Sequence, residues 1–131
     1  VQTCALPILD TVMTAHVFNE SWDAEDPATL STAVITDILR TEMGFDGVVI
    51  TDDMQMKAIR KYYSFEDAIQ LALEAGVDVI AISNNFDYDP ETVERGVAVV
   101  RRLVDEGVIS RERIEESYGR VQALKARYLF P

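Results

Sequence analysis

Gly44-Phe45-Asp46-Gly47-Val48-Val49-Ile50-Thr51-Asp52-Asp53-Met54-Gln55-Met56-Lys57-Ala58-Ile59 is the stretch whose reading decides the fold. Between Gly47 and Thr51 the apolar residues follow one another without the alternation of a half-exposed strand. A strand that is apolar on both faces is buried on both, as in a parallel sheet covered by helices. Two carboxylates follow at once, Asp52 and Asp53, at the strand end where parallel α/β folds bind their ligands.

The same rhythm extends outward on both sides. Upstream, Thr11-Val12-Met13-Thr14-Ala15-His16-Val17 reads as an earlier strand and Phe18 to Asp26 as the polar loop after it. Pro27 opens a predicted helix with Leu30, Val34, Ile38 and Leu39 at helical spacing, and Gly44 stands where a left-handed C-cap belongs. Downstream, Ser64 and Asp67 resemble a capping box for a helix from Phe65 to Ala75, Gly76 closes it, and Val77 to Ile82 reads as a third buried strand. Asp89-Pro90 caps a helix carrying Val93, Val97, Val100 and Val104, which Gly107 ends. A last helix starts at Ser110; Ile109 and Ile114 are placed to staple its entry, and Ile114, Val121, Leu124 and Tyr128 form its apolar stripe.

Three strands each followed by a helix, then an extra helix, specify right-handed βαβ units in an α/β protein. The candidate site residues are those just past the strands: His16, Asn19 and Glu20; Asp52 and Asp53; Ser83, Asn84 and Asn85. All three loops are polar at the same end of the sheet.

Composition narrows the function classes. The 131 residues include 12 basic and 23 acidic side chains, a formal charge of −11, which opposes binding to nucleic acid or to an anionic lipid surface. With 48% hydrophobic and 27% charged residues the chain is an ordinary globular one. One cysteine, Cys4, and one histidine, His16, exclude an internal disulfide and a zinc cluster, so neither a metal nor a cofactor is expected. No apolar run approaches the roughly 18 residues of a membrane span, and the first residues lack the succession of a signal peptide. The compartment stays open, with the cytoplasm favoured over secretion.

The segment from Gly44 to Ile59 resembles the active-site signature of family-3 glycoside hydrolases, in which a glycine-framed strand delivers a carboxylate nucleophile at its C-terminal end. Its Thr-Asp-Asp-Met form with a Met-Lys-Ala-Ile tail is similar to the β-N-acetylhexosaminidase branch; the β-glucosidase branch more often has Ser-Asp-Trp there. Val12 to Val17 resembles the family's preceding strand, Asp26-Pro27-Ala28-Thr29-Leu30-Ser31 its next loop and helix start, and Ser110 to Lys125 its closing helix. The family's catalytic domain is a (β/α)8 TIM barrel of about 250 residues. The resemblance therefore implies a partial barrel: residues 11–131 as the C-terminal part of that domain, roughly the last three βα units plus a helix, with residues 1–10 atypical.

The resemblance further implies retaining hydrolysis of O-glycosyl bonds, releasing a terminal N-acetyl-β-D-hexosamine, with Asp52 as the nucleophile. Asp53 is expected to point the opposite way and bond to backbone or solvent. His16 aligns with a substrate-contact position; its alternative is a half-buried histidine bonded to backbone. Met54 is a core residue with a secondary role lining the sugar site, and Trp22 an aromatic that anchors its loop or stacks on a pyranose. The family's acid/base, an Asp–His pair on a mobile loop, lies upstream and is absent, so the fragment is expected to be inactive alone. Its partner is a carbohydrate, an N-acetylglucosaminide or a glucoside. Opening the barrel would expose the apolar face of Val12, Val48, Ile50, Val79 and Ala81, so the isolated chain is expected to self-associate. The alternatives are a β-glucosidase-type member and a non-catalytic α/β binding fragment. A receiver-like phosphoacceptor is disfavoured, because Ser83-Asn84-Asn85 stands where that fold needs Lys.

Overall fold

Two short strands, β1 (Thr11–Met13) and β2 (Val48–Ile50), lie parallel, with Thr11 opposite Val48, Val12 opposite Val49 and Met13 opposite Ile50. The computed structural model describes residues 8–85 and 88–129; Cys4, most of the atypical segment 1–10 and Asp87 lie outside them. The ladder extends past its strands through Val48 N–H to the Asp10 carbonyl and Thr14 N–H to the Ile50 carbonyl. Both strands are shorter than the sequence suggests, because beyond these bonds the chain turns into its loops.

The predicted third strand, Val77 to Ile82, runs beside β2 but pairs regularly only where Ile50 bridges Val79 in parallel. Side chains displace the backbone partners at its two ends. The Val49 amide donates to the Asp78 carboxylate (2.9 Å), while Arg113 takes the Val77 carbonyl (2.6 Å). Further along, the Ala81 amide donates to Thr51 Oγ1 (2.8 Å). The segment is thus a third parallel chain without a continuous ladder, and the architecture is α/β with the order β1, β2, 77–82.

The connection from β1 to β2 departs most from expectation. Pro27 to Leu30 is a turn, tied by Ala28 N–H to the Val17 carbonyl and Leu30 N–H to Pro27. Helical winding starts only after Ser31, whose hydroxyl accepts from Val34 N (3.1 Å), and Ala33–Glu42 is a π-helix. A bond such as Met43 N–H to the Ile38 carbonyl spans five residues, not four. The wider winding re-phases the apolar stripe: Ile35 is the buried residue, Val34, Ile38 and Leu39 are half-buried, and Leu30 is buried in the turn before the helix. Gly44 follows at φ +71°, as its place in the sequence required.

Among the described residues four α-helices follow β2: α1 (Lys57–Arg60), α2 (Phe65–Ala75), α3 (Thr92–Asp105) and α4 (Arg111–Leu129). The capping box holds, with Ser64 Oγ accepting from Asp67 N (3.0 Å) and donating to its carboxylate (2.7 Å). Gly76 ends α2 in the left-handed region. Ile109 is buried beside Ile114, which staples the entry to α4. The valine stripe of α3 is corrected: Val93 and Val97 are exposed, while Val99 and Leu103 are buried, flanked by Val100 and Val104. No helix among the described residues is long and apolar enough to cross a membrane.

The core lies on one side of the sheet. Val49 and Val77 join Ile35, Phe45, Met54, Ile59, Ala68, Ala72 and Ala75, with Val12, Ile80 and Ile82 packed against them. In a parallel pair, laterally opposed residues share a face. Thr11, Met13, Val48, Ile50 and Val79 therefore share the other face, and Val12, expected there, belongs to the helix-covered core. On that second face Met13 is 67% exposed, whereas Val48 is closed off where β2 meets α4.

Candidate functional site

The three strand ends meet as the sequence suggests, and side chains tie them together beyond the last backbone bonds of the sheet. Thr51, fully buried, donates its amide to the Val79 carbonyl (3.0 Å) and accepts from Ala81 N at its hydroxyl. Two residues on, Asp53 makes the corresponding connection. Its Oδ1 accepts from Gln55 N (3.1 Å) and Ser83 N (3.0 Å), and its Oδ2 from Ser83 Oγ (2.6 Å). Partial burial pushes the Asp53 carboxyl up, but the Ser83 hydroxyl and amide and the Gln55 amide outweigh it and hold the group below the usual carboxylate range.

Asp52 stands between these anchors. It is half-buried, and its Oδ1 accepts from the amide of Asp53 (2.7 Å). Among the described residues its Oδ2 receives no hydrogen bond. Of two adjacent carboxylates, one is consumed in holding two loops together and the other keeps an oxygen available.

His16 is half-buried and has both ring nitrogens engaged: Nδ1 with Thr29 Oγ1 (2.9 Å) and Nε2 with the Asp53 carbonyl (2.9 Å). The structure thus brings His16 to the Asp52–Asp53 turn, bonded to protein atoms. Its ring also borders a recess of about 390 Å³ lined by Phe18, Glu25, Pro27, Ala58, Tyr62 and Tyr63. Met54 is not brought to the same place. It is 4% exposed, its side chain belongs to the core with Ile59 and Ala68, and its amide donates to the Ala81 carbonyl.

The loop after β1 is anchored by Asp23 and not by Trp22, which is 56% exposed. Asp23 accepts from the Ser31 hydroxyl (2.6 Å) and from the amides of Asp26 and Glu25, and these bonds lower its pKa in that order. Tyr63 donates to Asp26 (2.9 Å); burial and that carboxylate push its hydroxyl up to about 12. After the third segment, Asn84 adopts φ +54° and clasps the backbone of Asp89 with both ends of its amide (2.9 Å each). Among the described residues no group of three His, Cys, Asp or Glu side chains could hold a metal ion.

Sequence reading passed over Asp78. Its side chain is wholly buried, meets Arg40 (2.6 Å), Arg120 (3.0 Å) and Arg113 (3.7 Å), and accepts from Ser117 Oγ and Val49 N. The signal was an ionisable residue inside the apolar run Val77 to Ile82. It sits at the opposite end of the strands from Asp52 and joins β2, the π-helix and α4.

Comparison with known proteins agrees with this arrangement. Residues 7–124 match the model of the glycosyl hydrolase family 3 N terminal domain. A β-hexosaminidase of Alkalilimnicola ehrlichii is 36% identical over 112 residues, covering 86% of this chain and 30% of the relative. A family-3 β-N-acetylglucosaminidase from Paenibacillus sp. superposes with a TM-score of 0.86 at 42% identity, covering 94% of this chain and 23% of that one. The β-N-acetylglucosaminidase of Thermotoga maritima gives 0.81 at 37% identity, covering 90% and 26%. The chain spans about a quarter to a third of the length of such relatives. With its glycine-framed strand, its paired carboxylates and the match over nearly the whole chain, the protein belongs to glycoside hydrolase family 3.

Proposed function

We propose that the chain carries the nucleophile side of a retaining β-N-acetylhexosaminidase site, with Asp52 as the nucleophile and a terminal N-acetyl-β-D-hexosaminide as the substrate. In this reading β1, β2 and segment 77–82 are the last three strands of a (β/α)8 barrel. The observation that carries it is the division of labour between neighbours: Asp53 spends both oxygens on Gln55 and Ser83, while Asp52 Oδ2 stays available at the end of β2. The names of the β-hexosaminidase and β-N-acetylglucosaminidase relatives support the choice of sugar.

The chemistry runs in two displacements. An Asp52 oxygen attacks the anomeric carbon as the bond to the leaving oxygen breaks, and a general acid protonates that oxygen. The same group, now deprotonated, takes a proton from a water that attacks the same carbon; the bond to Asp52 breaks, its carboxylate is freed and the sugar leaves with retained configuration. The general acid lies in a part of the barrel outside these 131 residues, so the chain by itself is expected to turn over no aryl N-acetyl-β-glucosaminide.

A fluorinated N-acetylglucosaminyl donor with a good leaving group tests the assignment, because fluorine slows breakdown of the covalent intermediate. In the full-length enzyme, peptide mapping should place the sugar on Asp52. Asp52→Ala should lose several orders of magnitude in kcat. Label on Asp53 or Glu20, with Asp52→Ala still active, would overturn the assignment.

A further inference from the structure

We propose that His16 serves the reaction through Asp52 and not through the sugar: with Thr29 and Asp53 it forms a clamp that fixes the turn on which Asp52 stands. The inference rests on the reading of Asp52 as the nucleophile. Three segments far apart in sequence meet in one line of hydrogen bonds. Thr14 Oγ1 donates to Thr29 Oγ1 (2.9 Å), Thr29 Oγ1 meets His16 Nδ1 (2.9 Å), and His16 Nε2 meets the Asp53 carbonyl oxygen (2.9 Å).

The directions follow from what each atom can do. A carbonyl oxygen only accepts, so Nε2 carries the ring proton. Nδ1 of the neutral ring then accepts, and the Thr29 hydroxyl gives it its proton while accepting from Thr14. Both nitrogens are spent on protein, and neither is left for a sugar hydroxyl. Thr29 is fully buried, so the hydroxyl at the middle of the line is shielded from water.

What the line holds is the residue after the nucleophile. The Asp53 carbonyl is fixed by His16 from the β1 side, and its carboxylate is fixed by Ser83 from the side of segment 77–82. The residue before the nucleophile, Thr51, is bound to Val79 and Ala81. Asp52, held by one bond from the Asp53 amide to its Oδ1, therefore stands between two anchored residues with Oδ2 available, and the imidazole supplies the one of these bonds that reaches the turn from the β1 side. A nucleophile must be held in its attack geometry, and a shift of about 1 Å costs about a hundredfold in rate.

The test uses the full-length enzyme with 4-nitrophenyl N-acetyl-β-glucosaminide. His16→Ala should lower kcat by about ten- to a hundredfold with KM changed by less than about twofold, and His16→Gln, which keeps an N–H donor, should recover part of the loss. Thr29→Val removes the hydroxyl at nearly constant shape from a residue that cannot touch the sugar. It should lower kcat in the same way, and unchanged kinetics would overturn the clamp.

Azide decides between positioning and contact. Added to Asp52→Gly it replaces the carboxylate with a nucleophile that the clamp does not hold, so adding His16→Ala should change the azide-supported rate by less than about threefold. A His16→Ala loss that persists undiminished in that background shows contact with the sugar and overturns the inference while leaving Asp52 in its role. An Asp52→Gly enzyme that turns over at the wild-type rate without azide overturns the nucleophile reading itself.

Discussion

Asp52 and Asp53 are chemically identical neighbours, and the difference between them is made by what reaches each one. Asp53 meets two backbone amides and a serine hydroxyl; Asp52 meets one amide. Replacing Asp53 by Ala should therefore act mainly on stability. It removes the acceptor of the Gln55 and Ser83 amides and of the Ser83 hydroxyl; Ser83 is exposed and can bond water instead, so the cost is about 1 kcal/mol, visible as a lower melting temperature of the full-length enzyme. Catalysis should fall far less than in Asp52→Ala, and a loss in Asp53→Ala equal to that of Asp52→Ala, with an unchanged melting temperature, would reverse the roles. That a carboxylate pair ends a buried strand is visible in the sequence. Which one is consumed is decided by Ser83, 30 residues away. His16 repeats the lesson: its place after β1 is legible, but its partners Thr29 and Asp53 come from two other segments.

Among the elements, helix ends were the most legible features because capping is local chemistry. Ser64, Gly44 and Gly76 all act as their positions in the sequence require. Gly76 also carries a packing constraint: with φ at +112°, a Cβ there would lie 2.8 Å from Thr36 Oγ1 and 3.2 Å from Ile35 Cγ2. Gly76→Ala should destabilise by about 1–3 kcal/mol through strain and overpacking together. Gly119 is the opposite case. It lies within α4 with nothing within 4 Å of a Cβ, so Gly119→Ala should stabilise by about 0.5–1 kcal/mol. Thermal melts of the two variants should move in opposite directions. Which face a helix buries was less legible than where it ends. On α3 the valines at 93 and 97 promised a buried stripe, but its contact with α2 is made by Val99 and Leu103.

Across the whole molecule, the wholly buried Asp78 ties together elements distant in sequence. Burial alone would raise its pKa, yet the Val49 amide, the Ser117 hydroxyl and the Arg40 and Arg120 guanidiniums prevail and lower it from 3.8. A carboxylate with a depressed folded pKa contributes stability that is complete above its unfolded value and disappears as pH falls through the folded one. Acidification from pH 5 to 3 should therefore lower the melting temperature of the wild type more steeply than that of Asp78→Asn. At pH 7 the variant should already be destabilised by about 3 kcal/mol, because three guanidiniums lose their buried counter-charge. Parallel melts of the two proteins across that range check both statements. The second consequence concerns association. Met13 is 67% exposed on the face opposite the core, and β1 pairs on only one edge among the described residues. The isolated 131-residue chain should self-associate in sedimentation velocity at micromolar concentration. A single sharp monomer boundary would count against it.

The sequence by itself determined the parallel α/β rhythm, the Ser64 cap and the glycines that end helices, the carboxylate pair at a strand end and the family, because each depends on neighbours within a few residues. Tertiary structure decided the rest. Val12 turned to the core by its register with Val49, and the ladder of segment 77–82 gave way to bonds from Asp78 and Thr51. Asp53 became an anchor through Ser83. Register, burial and the choice of hydrogen-bond partner depend on which distant segments arrive at a residue, and a linear pattern holds no distance between them.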